Sequence, residues 1–224
     1  MKKDLIQIAI DGTAASGKST VSLLVSQKLS IPYLSSGKIF RSYAFALKDI
    51  DVNDEKAVKK EMKQFEFTFE NGNFCINGIN VSTDIANDNL SMKASTVSKY
   101  AYVRKRYQKD IKRICKKQSI IIDGRDIGTV ILPKTPYKFY IDALPRIRAE
   151  RRAKETGVSI KSKEFDKVLK EIKDRDYQDI HRKQSPLRKA KGAIVIDTSD
   201  WTAQRVADEI VFNVRKIKEE LEKK

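Results

Sequence analysis

Gly12-Thr13-Ala14-Ala15-Ser16-Gly17-Lys18-Ser19 fits the pattern G-x-x-x-x-G-K-[ST] without deviation. The chain reaches it through Leu5-Ile6-Gln7-Ile8-Ala9-Ile10, an apolar and β-branched run that reads as a buried strand. It leaves through Thr20-Val21-Ser22-Leu23-Leu24-Val25, which has helical character. Strand, glycine loop and helix form the context in which this pattern binds phosphate. Glycines at 12 and 17 let successive N–H groups turn inward, and the positive end of the following helix adds to them. Gly12, Thr13, Ala14, Ala15, Ser16, Gly17, Lys18, Ser19 and Thr20 therefore form a cradle for a nucleotide triphosphate. In that cradle Lys18 reaches the β- and γ-phosphates, and the Ser19 hydroxyl is a ligand for Mg²⁺.

Composition narrows the classes. A chain of 224 residues with 40% hydrophobic content can bury one α/β core with small insertions. Cys75 and Cys115 lack metal-ligand spacing, and His181 is the only histidine, which argues against zinc and against Ser-His or Cys-His catalysis. No apolar run approaches membrane-spanning length. Met1-Lys2-Lys3 resembles the start of a signal peptide, but Asp4 and Gln7 interrupt it, so a soluble, cytoplasmic and monomeric protein is expected. The net charge of +16 raises the question of nucleic acid. Its lysines are spread over the whole chain, which argues against such a partner, whereas clustered arginines suit a small polyanionic substrate.

Periodicity divides the remainder. Helices are expected at 18–30, 38–48 and 55–64, the last capped by Asn53-Asp54, with a short strand at 31–34. Phe65-Glu66-Phe67-Thr68-Phe69-Glu70 then alternates strictly into the turn signal Asn71-Gly72, and Asn73-Phe74-Cys75-Ile76-Asn77-Gly78 continues into Ile79-Asn80-Val81. This predicts a small antiparallel β insert at 65–90. A long basic helical stretch follows at 91–117, then strands at 119–123, 137–142 and 193–197, with helices at 145–155, 164–181 and 202–222. Alternating strands and helices predict an α/β, three-layer P-loop fold with a mostly parallel five-stranded sheet, whose ligands sit at the carboxyl ends of the strands. Candidate residues at those ends are Ser36, Gly37, Arg41, Arg125 and Asp126, with an arginine-rich stretch at 146–188.

These segments resemble the bacterial cytidylate kinases, a family of nucleoside monophosphate kinases. The matching stretches are IAIDGTAASGKST at the start, SSGKIFR at 35–41, INGINVSTDI in the insert, DGRDIGTVILP at 123–133 and EIKDRDYQDIHRKQSPL at 171–187. The resemblance implies a single kinase domain with a core (1–64, 91–145, 190–224), a nucleotide-monophosphate-binding insert (65–90) and a helical lid (150–190). It implies transfer of the ATP γ-phosphate to CMP or dCMP, with ATP and Mg²⁺ at Lys18 and Ser19. Arg41, Arg125 and Arg182 would clamp the acceptor phosphate, with Ser36 beside them. Ser95, Arg104 and Asp126 would read the base, and Asp179 with Arg175 would face the ribose. Arg148, Arg152 and Arg182 are expected to join Lys18 at the transferred phosphate. The family's usual aspartate before Ser36 is Ser35 here, so the metal would rely on Ser19, nucleotide oxygens and water. Other readings at this stage are a kinase for another small acceptor such as UMP, or a P-loop nucleotide-switch or nucleic-acid-binding protein.

Overall fold

The computed structural model describes residues 5–86 and 89–223. The basic start at Met1–Asp4, read as an interrupted signal-like segment, and residues 87–88 of the expected insert lie outside the described residues. The elements run β1 (Gln7–Gly12), α1 (Lys18–Leu29), β2 (Tyr33–Ser35), α2 (Ser36–Ala46), α3 (Glu55–Glu61), β3 (Phe67–Glu70), β4 (Asn73–Ile76) and β5 (Ile79–Asn80). There follow α4 (Asn89–Val97), α5 (Ala101–Cys115), β6 (Ile120–Gly124), β7 (Lys138–Asp142), α6 (Pro145–Thr156), α7 (Lys163–His181), β8 (Ile194–Asp197) and α8 (Ala203–Glu222).

The expected five-stranded sheet is present, in the order β2-β6-β1-β7-β8. β1 pairs parallel with β7, Gly12 opposite Ile141, and β7 pairs parallel with β8, Asp142 opposite Asp197. Ile8, Ala9, Ile10, Ile120, Ile121 and Ile122 are all fully buried, as strands covered on both faces require. The other sheet, β3-β4-β5, is antiparallel. Asn71-Gly72 closes its first hairpin with positive φ at both residues, 51° and 81°.

Two compact units are distinguishable by themselves. One is built on Ile6–Ile31 and the chain from Ile121 onward. In it α8 buries Val206, Ala207, Ile210, Val211 and Val214 along one stripe and packs on α1, with Lys28 2.8 Å from Asp208. Helices α6 and α7 pack on each other through Ala149, Ala153, Phe165 and Ile172. The other unit is built on Pro32–Ile120. Its core is aromatic: Tyr43 meets Phe67 edge-on at 5.7 Å and Phe65 at 5.8 Å, and Phe67 lies 6.4 Å from Phe74.

Three expectations are corrected. The stretch 91–117 is two helices, α4 and α5. The last turn of α4 tightens, Lys99 N–H reaching the Thr96 carbonyl and Tyr100 N–H that of Val97. Tyr100 then turns extended, at φ −74° and ψ 130°, while its hydroxyl donates to the Val52 carbonyl at 2.8 Å. Asn77-Gly78, read as strand continuation, is a second turn with φ of 51° and 77°. Ser36-Gly37, read as loop, is already the first turn of α2.

Candidate active site

The loop between β1 and α1 has the backbone its sequence demands. Position 12 tolerates only glycine, because a Cβ there would lie 1.9 Å from the Ile141 carbonyl oxygen of the neighbouring strand. Gly17 caps α1 in the left-handed region, and Ala15 is left-handed at φ 55° despite carrying a side chain. Lys18 is buried, its ammonium donating to the Thr13 carbonyl and to Ser16 Oγ. Burial first, then repulsion from Arg125, lowers its pKa to about 7. A cation held at such a cost gains most when an anion arrives.

Four carboxylates support this loop from other parts of the sequence. Asp123, at the end of β6, accepts from Ser19 Oγ at 2.9 Å. Asp142, at the end of β7, accepts from Thr13 Oγ1 at 2.6 Å. Asp176 of α7 accepts the Ala14 N–H at 3.2 Å and meets Arg148 Nη1 at 2.6 Å. Asp11 accepts the N–H groups of Ile127 and Gly128 at 2.9 and 2.7 Å. Those amides begin a π-helical turn, Ile127–Ile131. Burial raises the Asp11 carboxyl to about 6, against the pull of its two amide bonds. Of the four, only Asp176 stood in the arginine-rich stretch read from sequence, and with no role at the loop. A signal existed, since β1, β6, β7 and β8 carry Ile10-Asp11, Ile122-Asp123, Ile141-Asp142 and Ile196-Asp197 at or near their carboxyl ends.

A second cluster lies in the same unit. Asp179 is buried, with Arg125 Nε at 2.7 Å, Arg175 Nε at 3.5 Å and Arg182 Nη1 at 3.6 Å. Burial alone would raise its pKa, but the arginines, Arg125 first, hold it below the usual carboxylate range. Arg182 has left α7 and is extended at its end, where its Nη2 lies 3.8 Å from Asp126. The structure thus brings Arg125, Asp126, Arg175, Asp179 and Arg182 together. Arg152 is exposed and lies 3.4 Å from Glu155, whereas Arg148 is buried against the phosphate loop, its Nη1 3.0 Å from the Ala14 carbonyl.

The remaining candidates belong to the other unit. Ser36 opens α2, and Arg41 on the same helix donates to the Ile85 and Ala86 carbonyls at 3.3 and 3.4 Å. Ser95 lies on α4, which packs on α2. Arg104 of α5 is buried over the Phe40 ring at 5.6 Å, and that ring stacks on Tyr107 at 4.6 Å.

Comparison with known proteins identifies the family. Residues 8–216 match the cytidylate kinase family. The chain belongs to that family. It is 40% identical over 219 residues to a cytidylate kinase of Clostridium botulinum, covering 94% of this chain and 98% of that one. A cytidylate kinase of Thermosipho melanesiensis is 39% identical over 212 residues, covering 93% and 96%. Among solved structures, an uncharacterized protein from Eubacterium ventriosum superposes with a TM-score of 0.53 at 16% identity, covering 94% of this chain and 98% of that chain, which supports the fold alone. As a member of the family the chain is a kinase acting on nucleoside monophosphates. No described helix is long and apolar enough to cross a membrane.

Proposed function

We propose that this kinase transfers the γ-phosphoryl group of ATP to CMP or dCMP, giving ADP and CDP or dCDP. The observation that carries the phosphoryl-transfer reading is the concentration of positive charge in one unit. Lys18 feels the field of Arg125, and Arg125, Arg175 and Arg182 share Asp179. Such a group suits two polyanions that must be held in line against their own repulsion. The acceptor phosphate oxygen is ionised near neutral pH and attacks the γ-phosphorus as the bond to the ADP oxygen breaks. No protein base is needed.

On this reading the loop from Gly12 to Thr20 holds ATP. Ser36, Arg41, Arg125 and Arg182 hold the acceptor phosphate, and Arg175 with Asp179 meets the ribose. Lys18, Arg148, Arg152 and Arg182 answer the charge that develops on the transferred group. Residues 65–90 form the acceptor-binding insert and 150–190 the lid. A hydroxyl and a carboxylate converge where Ser19 meets Asp123 at 2.9 Å, a donor set that suits Mg²⁺. Among the described residues no three His, Cys, Asp or Glu side chains gather into a cage, so substrate oxygens and water would complete the shell. When bound, the ion supplies charge neutralisation to the phosphates.

Base choice follows from donor logic. Cytosine offers an N4–H donor beside an N3 acceptor, and uracil offers the reverse. An ionised Asp126 can only accept and Arg104 can only donate, with Ser95 adaptable to either, so the set fits cytosine. Each mismatched buried group would cost about 1–3 kcal/mol with uracil. The test is ADP formation with CMP, UMP and AMP as acceptors, repeated with Asp126→Ala. CMP should lead in the wild type, and the CMP/UMP ratio of kcat/KM should fall in the variant. An unchanged ratio would remove Asp126 from base reading, and absence of CMP-dependent ADP formation in the wild type would overturn the whole assignment.

A further inference from the structure

Ala14 is held from outside the phosphate loop through both peptides that flank it, Thr13–Ala14 by its N–H and Ala14–Ala15 by its carbonyl. The Ala14 N–H donates to Asp176 Oδ1 at 3.2 Å, and the Ala14 carbonyl accepts from Arg148 Nη1 at 3.0 Å. The two side chains are themselves joined, Arg148 Nη1 to Asp176 Oδ2 at 2.6 Å. Arg148 is 3% exposed and is fixed a third time, its Nε donating to the Ala143 carbonyl at 2.8 Å. One arginine of α6 and one aspartate of α7 therefore grip both polar groups of a single loop residue.

The grip has a directional consequence. In a trans peptide the carbonyl and the next N–H point in opposite directions. With the Ala14 carbonyl drawn out toward Arg148, the Ala15 N–H is turned to the other side of that peptide. Rotation of this peptide would instead present a carbonyl oxygen to an anion. Ala15 is also left-handed at φ 55°, a conformation that costs an L-residue about 1–2 kcal/mol and persists where its surroundings fix it.

We propose that Asp176 is a positioning residue for nucleotide binding. It holds the Thr13–Ala14 peptide directly, orients the Ala14–Ala15 peptide through Arg148, and ties the α6–α7 pair to the phosphate loop. This assigns Arg148 a task beyond meeting the transferred phosphate, and it rests on the reading of the loop as the ATP site. ATP binding then depends on a pair of residues at least 128 positions away in sequence from the loop's last residue, Thr20.

The experiment measures ATP and CMP affinity separately by calorimetry, together with thermal stability, in Asp176→Asn, Arg148→Gln and the double variant. Asp176→Asn keeps the shape and a neutral acceptor for the Ala14 N–H but removes the charge that orients Arg148. Each single variant should weaken ATP binding tenfold or more and leave CMP binding within twofold. The double variant should be no worse than the weaker single one, because both remove the same restraint. Additive losses, equal losses for ATP and CMP, or ATP affinity within twofold of wild type in Asp176→Asn would overturn the proposal. If Arg148→Gln fails to fold, Arg148→Lys replaces it, and a Lys variant with wild-type ATP affinity would count against a required guanidinium fork. The ATP arm and the double-variant comparison involve no acceptor, so they stay readable if the acceptor is wrongly assigned.

Discussion

Asp110 and Asp179 are both buried carboxylates that gather arginines, one in each compact unit, and they do so to different ends. Asp110 accepts from Tyr43 Oη at 2.8 Å and Arg106 Nε at 2.8 Å, with Arg113 Nη2 at 3.4 Å. Its arginines then spend their other donors on the protein. Arg106 reaches the Met62 and Phe65 carbonyls at 3.1 Å each, and Arg113 reaches the Phe67 carbonyl and Glu66. Two arginines face two carboxylates, so the charge balances, and the cluster stitches α5 to the entry of β3. Around Asp179 the balance fails. Three cations, Arg125, Arg175 and Arg182, face two carboxylates, Asp179 and Asp126, while Lys18 nearby has Asp123 and Asp11 of its own. A balanced buried cluster works as structure. One with surplus positive charge is strained until an anion joins it, which is the condition of a phosphate site.

The strongest test of that contrast is Asp110→Ala. It leaves Arg106, Arg113 and the Tyr43 hydroxyl without their shared acceptor inside the fold. Loss of one partner from a buried charge cluster costs about 3–5 kcal/mol. Urea unfolding should show that loss, while kcat/KM per folded molecule changes little. Should Asp110→Ala retain wild-type stability, the cluster is not what joins α5 to β3.

Asp179→Ala should show its loss in the kinetics. The three arginines would lose the carboxylate that aligns them, and kcat/KM for CMP should fall about 100-fold, near 3 kcal/mol of transition-state stabilisation. Stability should fall as well, because three arginines lose the carboxylate they share, so the kinetic loss is what sets this variant apart. CMP and dCMP should suffer unequally if the carboxylate also meets the ribose 2′-hydroxyl. Comparing the two variants by both urea unfolding and steady-state kinetics separates mortar from machinery, and matching profiles would erase the distinction.

The phosphate loop and the insert were legible in the sequence, but this contrast was not. The phosphate loop announces itself because its chemistry is local: glycines, a lysine and a hydroxyl within eight consecutive residues. The antiparallel insert is equally local, through alternation and Asn71-Gly72. The carboxylates behind the loop were missed because their work is not local. Ser19 and Asp123 are 104 residues apart, Ile127 and Asp11 are 116 apart, Thr13 and Asp142 are 129 apart, and Ala14 and Asp176 are 162 apart. Asp179 and Arg182 stand three apart in sequence, yet Arg182 makes its contact with Asp179 from beyond the helix. The break between α4 and α5 was hidden for a related reason. Tyr100 leaves the helix where its hydroxyl finds the Val52 carbonyl, a contact with no trace in helical periodicity.

The smallest effect concerns Asp11, a third buried carboxylate that takes amides where the other two take arginines. Burial raises its carboxyl from 3.8 to about 6 against the pull of its two amides and of Lys18, whereas Asp179 is held low by its arginines. The two titrate with opposite consequences. For Asp179 the stabilising contribution is present above the ordinary carboxylate range and is lost as pH falls through its lowered value. For Asp11 the folded protein keeps a proton, between pH 4 and 6, that the unfolded chain has released. Its contribution is therefore complete below about pH 4 and is lost as pH rises through about 6. Asp11→Asn removes this titration and keeps an acceptor for one of the two amides, so it carries a constant loss of one hydrogen bond at every pH. Relative to wild type, the variant should gain about 1–2 kcal/mol in unfolding free energy between pH 4 and pH 7. Urea titrations of both proteins at pH 4, 5, 6 and 7 measure that difference. Parallel stability curves would mean that Asp11 ionises as an ordinary carboxylate, and that two backbone amides suffice to hold a buried charge where the other two carboxylates need arginine.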